Sequence, residues 1–230
     1  VPVPPLDEQR RIVNLLEDHL SRLDASDLLL SNSRKRLTRM RQSILAESMR
    51  RVAEDQAVSL GELATVATGT TPLKSNEAYY EGGTIPWVTS GDLHQGVIRQ
   101  ASQFVTEQAV AETSLRLFPA GSILLAMYGE GKTRGTAAEL EIAATVNQAC
   151  AAVVLNDPAL KSWIRLVLDA NYLAMRRMAA GGVQPNLNLS LVRAIQVPLP
   201  PETIRNATIS RVAEVEISAT EFENALAVNT

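Results

Sequence analysis

The segment whose residue types and spacing come nearest to chemistry is Ala126-Met127-Tyr128-Gly129-Glu130-Gly131-Lys132-Thr133. A small residue, four spacers and Gly-Lys-Thr after an apolar run is the pattern of a phosphate loop, in which backbone N–H groups and a lysine hold a nucleotide. That chemistry needs a helix starting directly after Thr133, so that its free N–H groups meet the phosphates. Arg134-Gly135-Thr136 follows instead, a poor start for a long helix, and no apolar strand ending in Asp comes later to hold magnesium. Nucleotide binding through Gly129–Thr133 therefore stands only as an alternative. A loop tipped with Lys132, Thr133 and Arg134 serves equally to touch DNA phosphates and base edges.

Other catalytic signatures are missing from the sequence. There is no Asn/Asp-Pro-Pro-Tyr/Phe motif for methylating a base amino group, no Gly-x-Ser-x-Gly elbow, no paired-cysteine metal site and no His-Glu-x-x-His. The two histidines, His19 and His94, are too few for a metal site, and Cys150 sits among Ala and Val as a small core residue. No catalytic residue and no metal ligand is nominated, and the chain is expected to bind and position. The polar loop tips that could make DNA contacts, each otherwise an ordinary turn residue, are Thr70, Thr71 and Lys74; Thr89 and Ser90; Tyr128, Lys132, Thr133 and Arg134; Gln184 and Asn186. Such side chains pair with base edges or phosphates. Asn147 and Gln148, followed by an apolar strand, read as structural residues satisfying buried loop backbone. Trp87 reads as core packing beside Pro86.

The elements that must hold these tips are of two kinds. Residues 57–197 form a mixed domain of short apolar runs separated by Gly, Pro, Ser, Thr and Asn. Within it Thr84–Thr89 reads as a strand demoted to an edge by Pro86. Ser122–Tyr128 and Ala144–Leu155 read as strands, Asp157–Met178 as a helix ended by Gly181-Gly182, and Asn186–Val197 as another short strand region. Residues 1–56 hold a proline block and then a segment without Gly or Pro until Gly61. On it Leu16, Leu23, Leu30, Leu37 and Ile44 recur every seventh residue, the seam of a helix built to lie along another helix. The neighbouring column (Leu20, Asp27, Arg34, Arg41, Ser48) is mostly polar, so the seam is narrow. Roughly forty residues at ~1.5 Å each make a rod of about 60 Å, a spacer longer than one turn of duplex DNA.

The opening then returns in residues 198–230: Pro198-Leu199-Pro200-Pro201 repeats Pro2-Val3-Pro4-Pro5, and apolar positions follow in the same order. A repeat so widely spaced implies a unit of mixed domain, proline block and helix, used more than once. The expected fold class is α+β, a mixed recognition domain flanked by a long coiled-coil helix and a shorter C-terminal helix, antiparallel. The second helix is read as cut short at Thr230, which makes the sequence look like part of a larger two-fold object.

Composition agrees with a folded chain of this kind: 230 residues, 46% hydrophobic and 20% charged. A net charge of −3 argues against a simple basic DNA-binding module, but Arg34, Lys35, Arg36, Arg39, Arg41, Arg50 and Arg51 gather in the later half of the rod. That run reads either as a solvated face or as a surface for phosphates or an acidic partner. The 4% aromatic content disfavours a stacking platform for single strands. The N-terminus has neither the basic region nor the apolar core of a secretory leader, and no apolar run approaches the ~20 residues of a membrane helix. One cysteine cannot form an internal disulfide, which fits a reducing cytoplasm.

Taken in order, the motifs resemble one known family, the specificity (S) subunit of type I restriction–modification systems. Pro4-Pro5-Leu6-Asp7-Glu8-Gln9-Arg10-Arg11-Ile12 is similar to the start of its conserved spacer helix, and Arg41-Gln42-Ser43-Ile44-Leu45 to that helix's end. Thr68-Gly69-Thr70-Thr71-Pro72 and the stretch from Tyr79 to Leu93 resemble the early part of a target recognition domain. The stretch from Gly121 to Gly129, Asn147-Gln148-Ala149, and the stretch from Gly181 to Leu189 resemble its later landmarks. The resemblance implies a non-catalytic subunit that reads one half of a bipartite site in double-stranded DNA and docks methyltransferase (M) subunits, with the restriction (R) subunit joining through the complex. It implies no cofactor bound directly, S-adenosylmethionine, ATP and Mg belonging to the partner subunits. A full member has two recognition domains and this chain has one. Either it is half of a longer subunit, with a missing N-terminal half, or it is a half-length form that pairs as a homodimer.

Overall fold

The computed structural model describes residues 3–49, 57–129, 133–180 and 186–228. It divides into two compact units, one of Val1–Glu47 with Asn206–Thr230, the other of Ser48–Arg205.

The first unit is helical. α1 (Leu6–Met49) runs 44 residues without a break, about 66 Å. Its start is fixed by the proline block: the Gln9 backbone N–H donates to the Pro5 carbonyl at 3.0 Å and the Gln9 side chain to the Pro4 carbonyl at 2.7 Å. Exposed pairs such as Glu8–Arg11 and Asp18–Arg22 lie along its surface. Pairs of this kind contribute about 0.5 kcal/mol or less each, so the helix depends on what covers its seam. α7 (Glu202–Val228) lies antiparallel to it and is shorter, 27 residues or about 40 Å. The expected seam is graded in exposure. Leu16 and Leu23 are 56% and 49% exposed, Leu30 and Leu37 are half-buried, and Ile44 is 9% exposed.

The second unit holds β1 (Ala57–Ser59), α2 (Leu60–Leu63), β2 (Ala64–Thr68), β3 (Ile85–Val88), β4 (Val97–Ile98), β5 (Gln103–Val105) and α3 (Glu107–Glu112). It continues with β6 (Ile123–Ala126), β7 (Ala137–Leu140), β8 (Thr145–Val146), β9 (Cys150–Leu155), α4 (Lys161–Ala170), α5 (Tyr172–Ala180), α6 (Leu189–Arg193) and β10 (Gln196–Pro198). Five strands form one sheet in the order β2-β9-β6-β7-β4, three form another in the order β5-β3-β8, and β1 pairs with β10. β6 and the first half of β9 are buried throughout, which is why their sequences run apolar without alternation. Leu124, Ala126, Cys150 and Ala152 from these strands, with Val88, Leu93, Ile98, Phe118, Leu140 and Val146, make the main core. α4 buries Trp163, Ile164, Val167 and Leu168, and the Trp163 indole N–H donates to the Pro198 carbonyl at 2.7 Å. Full burial of each such aliphatic side chain is worth about 1.5–3 kcal/mol.

Four local expectations change, the first being that the helix expected over Asp157–Met178 is two, α4 and α5, divided at Asn171. β3 is not an edge but the middle strand of its sheet, antiparallel to β5 and parallel to β8. Pro86 is accommodated because the β8 ladder begins one residue later, at Trp87 opposite Thr145, and the Thr145 hydroxyl donates to the Pro86 carbonyl at 2.9 Å. The apolar run Ala144–Leu155 is two strands in different sheets, β8 and β9, separated by a turn at residues 147–149. The region expected as a strand from Asn186 begins instead with the short helix α6, capped where the Asn188 side chain accepts from the Leu191 N–H at 2.9 Å, and only Gln196–Pro198 is a strand.

Candidate nucleic-acid interface

Strand direction decides which loops meet. β3 and β8 are parallel with Val88 opposite Val146, so the loop after β3 and the turn after β8 leave the same end. Thr68 at the end of β2 and Ala126 at the end of β6 both pair near Cys150 at the start of β9. Four connections therefore open at one margin: residues 69–72, 89–92 and 147–149, and the one between β6 and β7, described at 127–129 and 133–136.

Hydrogen bonds tie these connections to one another. The Asn147 N–H donates to the Val88 carbonyl at 3.0 Å, and the Met127 N–H to the Ala149 carbonyl at 2.7 Å. The Thr68 hydroxyl lies against two carbonyls, Cys150 at 2.7 Å and Gln148 at 3.3 Å. The Trp87 indole N–H reaches the Thr70 carbonyl at 3.2 Å, so this core residue also anchors the first loop. The Leu187 N–H donates to the Met127 carbonyl at 3.1 Å, which brings the segment beginning at Asn186 to the same place. Gly69 is the closest approach: a Cβ built there would fall 1.7 Å from the Val146 carbonyl oxygen.

Thus Thr70, Thr71, Thr89, Ser90, Tyr128, Thr133, Arg134 and Asn186 stand on connections that share one margin. Lys74 is exposed on the turn after residues 69–72. Lys132 and Gln184 lie outside the described residues. Tyr128 presents a 36% exposed ring. The Thr89 N–H and hydroxyl both donate to the buried Asp92 carboxylate, which also accepts from Ser102. The Arg134 carbonyl accepts from Arg176 on α5 at 3.0 Å, and the Arg176 guanidinium lies 5.4 Å from the centre of the Tyr172 ring. The Arg134 Nε is buried and finds no hydrogen-bond partner among the described residues, a donor that costs free energy while unsatisfied.

Sequence reasoning passed over three contributors. Asp92 and Arg176 act from behind the tips. Gln148, read from sequence as structural, is exposed, and its Oε1 accepts the Thr71 hydroxyl proton. The signal for Gln148 was the adjacent amide pair; only geometry separates their tasks. Asn147 closes the turn, accepting from the Ala149 N–H at 3.1 Å, while Gln148 projects.

The nucleotide alternative fails on the same geometry. The Gly129–Thr133 loop joins β6 to the antiparallel strand β7, with the Gly135 N–H on the Ala126 carbonyl at 2.9 Å. Among the described residues a turn and then β7, not a helix, follow Thr133, whereas a phosphate loop needs a helix N-terminus there. Among the described residues no cluster of His, Cys, Asp and Glu is arranged to hold a metal, and no helix is long and apolar enough to cross a membrane. The margin displays hydroxyls, amides and a guanidinium, groups suited to a polyanion that also carries donor and acceptor edges.

The profile of the family described as type I restriction modification DNA specificity domain matches residues 54–225. The chain belongs to that family. It is similar to a type I restriction enzyme specificity subunit from Escherichia coli, 26% identical over 145 residues, taking in 62% of this chain and 36% of the relative. It is likewise similar to one from Methanocaldococcus jannaschii, 28% identical over 144 residues, 60% of this chain and 32% of the relative. Among solved structures, the HsdS subunit from Thermoanaerobacter tengcongensis matches with a TM-score of 0.63 at 19% identity, over 98% of this chain and 55% of that one. A chain from a structure of a type I R-M system matches with a TM-score of 0.69 at 20% identity, over 100% and 56%. The likeness to these specificity structures is one of fold: a long first helix, a mixed domain of short strands and a closing helix. The aligned part spans about a third of the length of the curated relatives and a little over half of the solved chains.

Proposed function

We propose that this chain reads one half of a bipartite site in double-stranded DNA for a type I restriction–modification complex, and that its part in that complex is recognition without catalysis. The observation that carries the reading is the shared margin of residues 69–72, 89–92, 127–129, 133–136 and 147–149, polar tips held on a buried sheet, in a chain that also has a long spacer helix. In this reading α1 sets the distance to the other half-site, and methyltransferase subunits dock on the helices, the restriction subunit joining through them. S-adenosylmethionine, ATP and Mg act on those partners, in the cytoplasm. Support for docking comes from the apolar seam of α1, on which Leu16 and Leu23 are about half exposed. A second copy of the chain, or the rest of a longer subunit, supplies the other recognition domain.

The test is binding to a library of duplexes by the complex assembled with its methyltransferase partner. Enrichment of one half-site with a fixed gap to a second is the expected result, and an unenriched library overturns the reading.

A further inference from the structure

We propose that Gln148 donates a hydrogen bond to a DNA phosphate, and that Thr71 sets the direction in which its amide points. The inference rests on the reading above that this margin meets DNA. Gln148 stands on a turn whose flanking backbone is held. Its carbonyl accepts from Thr68 at 3.3 Å, the preceding Asn147 N–H is on Val88 at 3.0 Å, and the Cys150 N–H is on the Asn147 carbonyl at 3.2 Å. The side chain is exposed, yet it does not swing freely, because its Oε1 accepts the Thr71 hydroxyl proton.

A glutamine amide has one acceptor oxygen and one NH2 group with two donors. With the oxygen turned in to Thr71, the NH2 group is turned out. The side chain therefore does not offer the outward oxygen-and-nitrogen pair with which glutamine reads adenine. It offers donors alone, on a rigid turn, and phosphate oxygens are acceptors alone. Half to two-thirds of protein–DNA hydrogen bonds go to phosphate and sugar, glutamine side chains among the donors. Thr71, its single proton committed to Gln148, is then a positioning residue for this contact. The same donation accounts for how a chain of net charge −3 grips a polyanion partly through neutral groups.

The experiment compares Gln148→Ala, Gln148→Glu and Thr71→Val with the wild-type chain in the purified complex. Each is titrated by fluorescence anisotropy against a target duplex and an unrelated duplex of equal length. Gln148→Ala is expected to weaken both by the same factor, roughly tenfold, leaving the preference ratio unchanged. Thr71→Val weakens both by a smaller common factor, and Gln148→Glu, which sets a carboxylate against phosphate, weakens both by more than Gln148→Ala. Replacing single phosphates by neutral methylphosphonates identifies one position at which wild type and Gln148→Ala bind alike. Thermal unfolding of Gln148→Ala should match wild type, since the side chain is exposed. Unchanged binding by Gln148→Ala overturns the inference, and so does a loss confined to the target duplex, which would mark a base contact. Absence of any preference in the wild-type complex would instead overturn the DNA-reading proposal itself.

Discussion

Asp92 holds Thr89 twice: one carboxylate oxygen accepts from the Thr89 N–H at 2.8 Å and from its hydroxyl at 2.9 Å. The other oxygen accepts from the Ser102 hydroxyl at 2.8 Å, and the whole side chain is buried, 7% exposed. The Thr89 proton is thereby committed inward, so what the hydroxyl presents to a ligand is lone pairs. In the proposed reading, such an acceptor would suit the amino groups of adenine or cytosine in the major groove.

Asp92→Asn keeps the shape but replaces one accepting oxygen with an NH2 group, which faces either Ser102 or Thr89. We expect it to lower unfolding free energy by about 1–3 kcal/mol in urea titration, the cost of a buried polar group left mismatched. Binding discrimination at one base pair should fall with it, while Ser102→Ala should cost stability alone.

Gly69→Ala should be among the most damaging single-methyl additions in the recognition unit. The new Cβ would sit 1.7 Å from the Val146 carbonyl oxygen, backbone that cannot yield without moving the loop after β2 or the end of β8. A loss of about 1–3 kcal/mol or more follows for overpacking of this kind, read from the urea midpoint. Gly82→Ala is the control: it has open space within 4 Å and a φ of +68°, so only the left-handed backbone, about 1–2 kcal/mol, is at stake.

Burial, and secondarily the charge of Asp92, pushes the Cys150 thiol far above its ordinary range. Below roughly pH 8.5, the ordinary thiol value, folded and unfolded chains both keep the proton and the contribution is complete. Above it only the unfolded chain ionises, so this group's share of stability falls by about 1.4 kcal/mol per pH unit. Between about pH 8.5 and 9.5, Cys150→Ala should flatten the slope of unfolding free energy against pH. In the native wild type a thiol reagent should react only at the rate of unfolding.

Arg134→Ala should weaken duplex binding, and Arg176→Ala should do so to a smaller degree by releasing the Arg134 carbonyl that it holds at 3.0 Å. ATP with magnesium should leave the melting temperature of the chain unchanged, because a strand follows the Gly129–Thr133 loop. A shift on adding nucleotide would reopen that alternative.

How far the sequence discloses this molecule depends on whether a feature is local. The rod was legible because 44 residues without Gly or Pro, with Leu every seventh position, satisfy one periodicity only. The antiparallel partner was legible from the returning proline block, and the structure repeats its joint. The Gln9 side chain donates to the Pro4 carbonyl at 2.7 Å, and the Arg205 side chain to the Pro200 carbonyl at 2.8 Å. The place of β3 was not legible. Proline removes a donor, which argues for an edge, but whether a neighbour needs that donor depends on where β8 begins to pair. The helix at Leu189–Arg193 was missed because a five-residue apolar run has no resolvable period, although Asn188 before it is a capping residue. Loop tips were nominated by residue type, and their company was set by strand direction, which no short window contains. Gln148 is opaque for the same reason: two neighbouring amides look alike until one is seen closing the turn.

The shared margin has a consequence for variation. The strands behind it are fixed by aliphatic burial and by main-chain bonds, such as Asn147 to Val88 and Met127 to Ala149, which ask little of side-chain identity. Gly69 and Trp87 are the fixed pins. If the margin reads DNA as proposed, the letters between those pins can be rewritten while the frame stays, and a new address requires new tips and no new architecture.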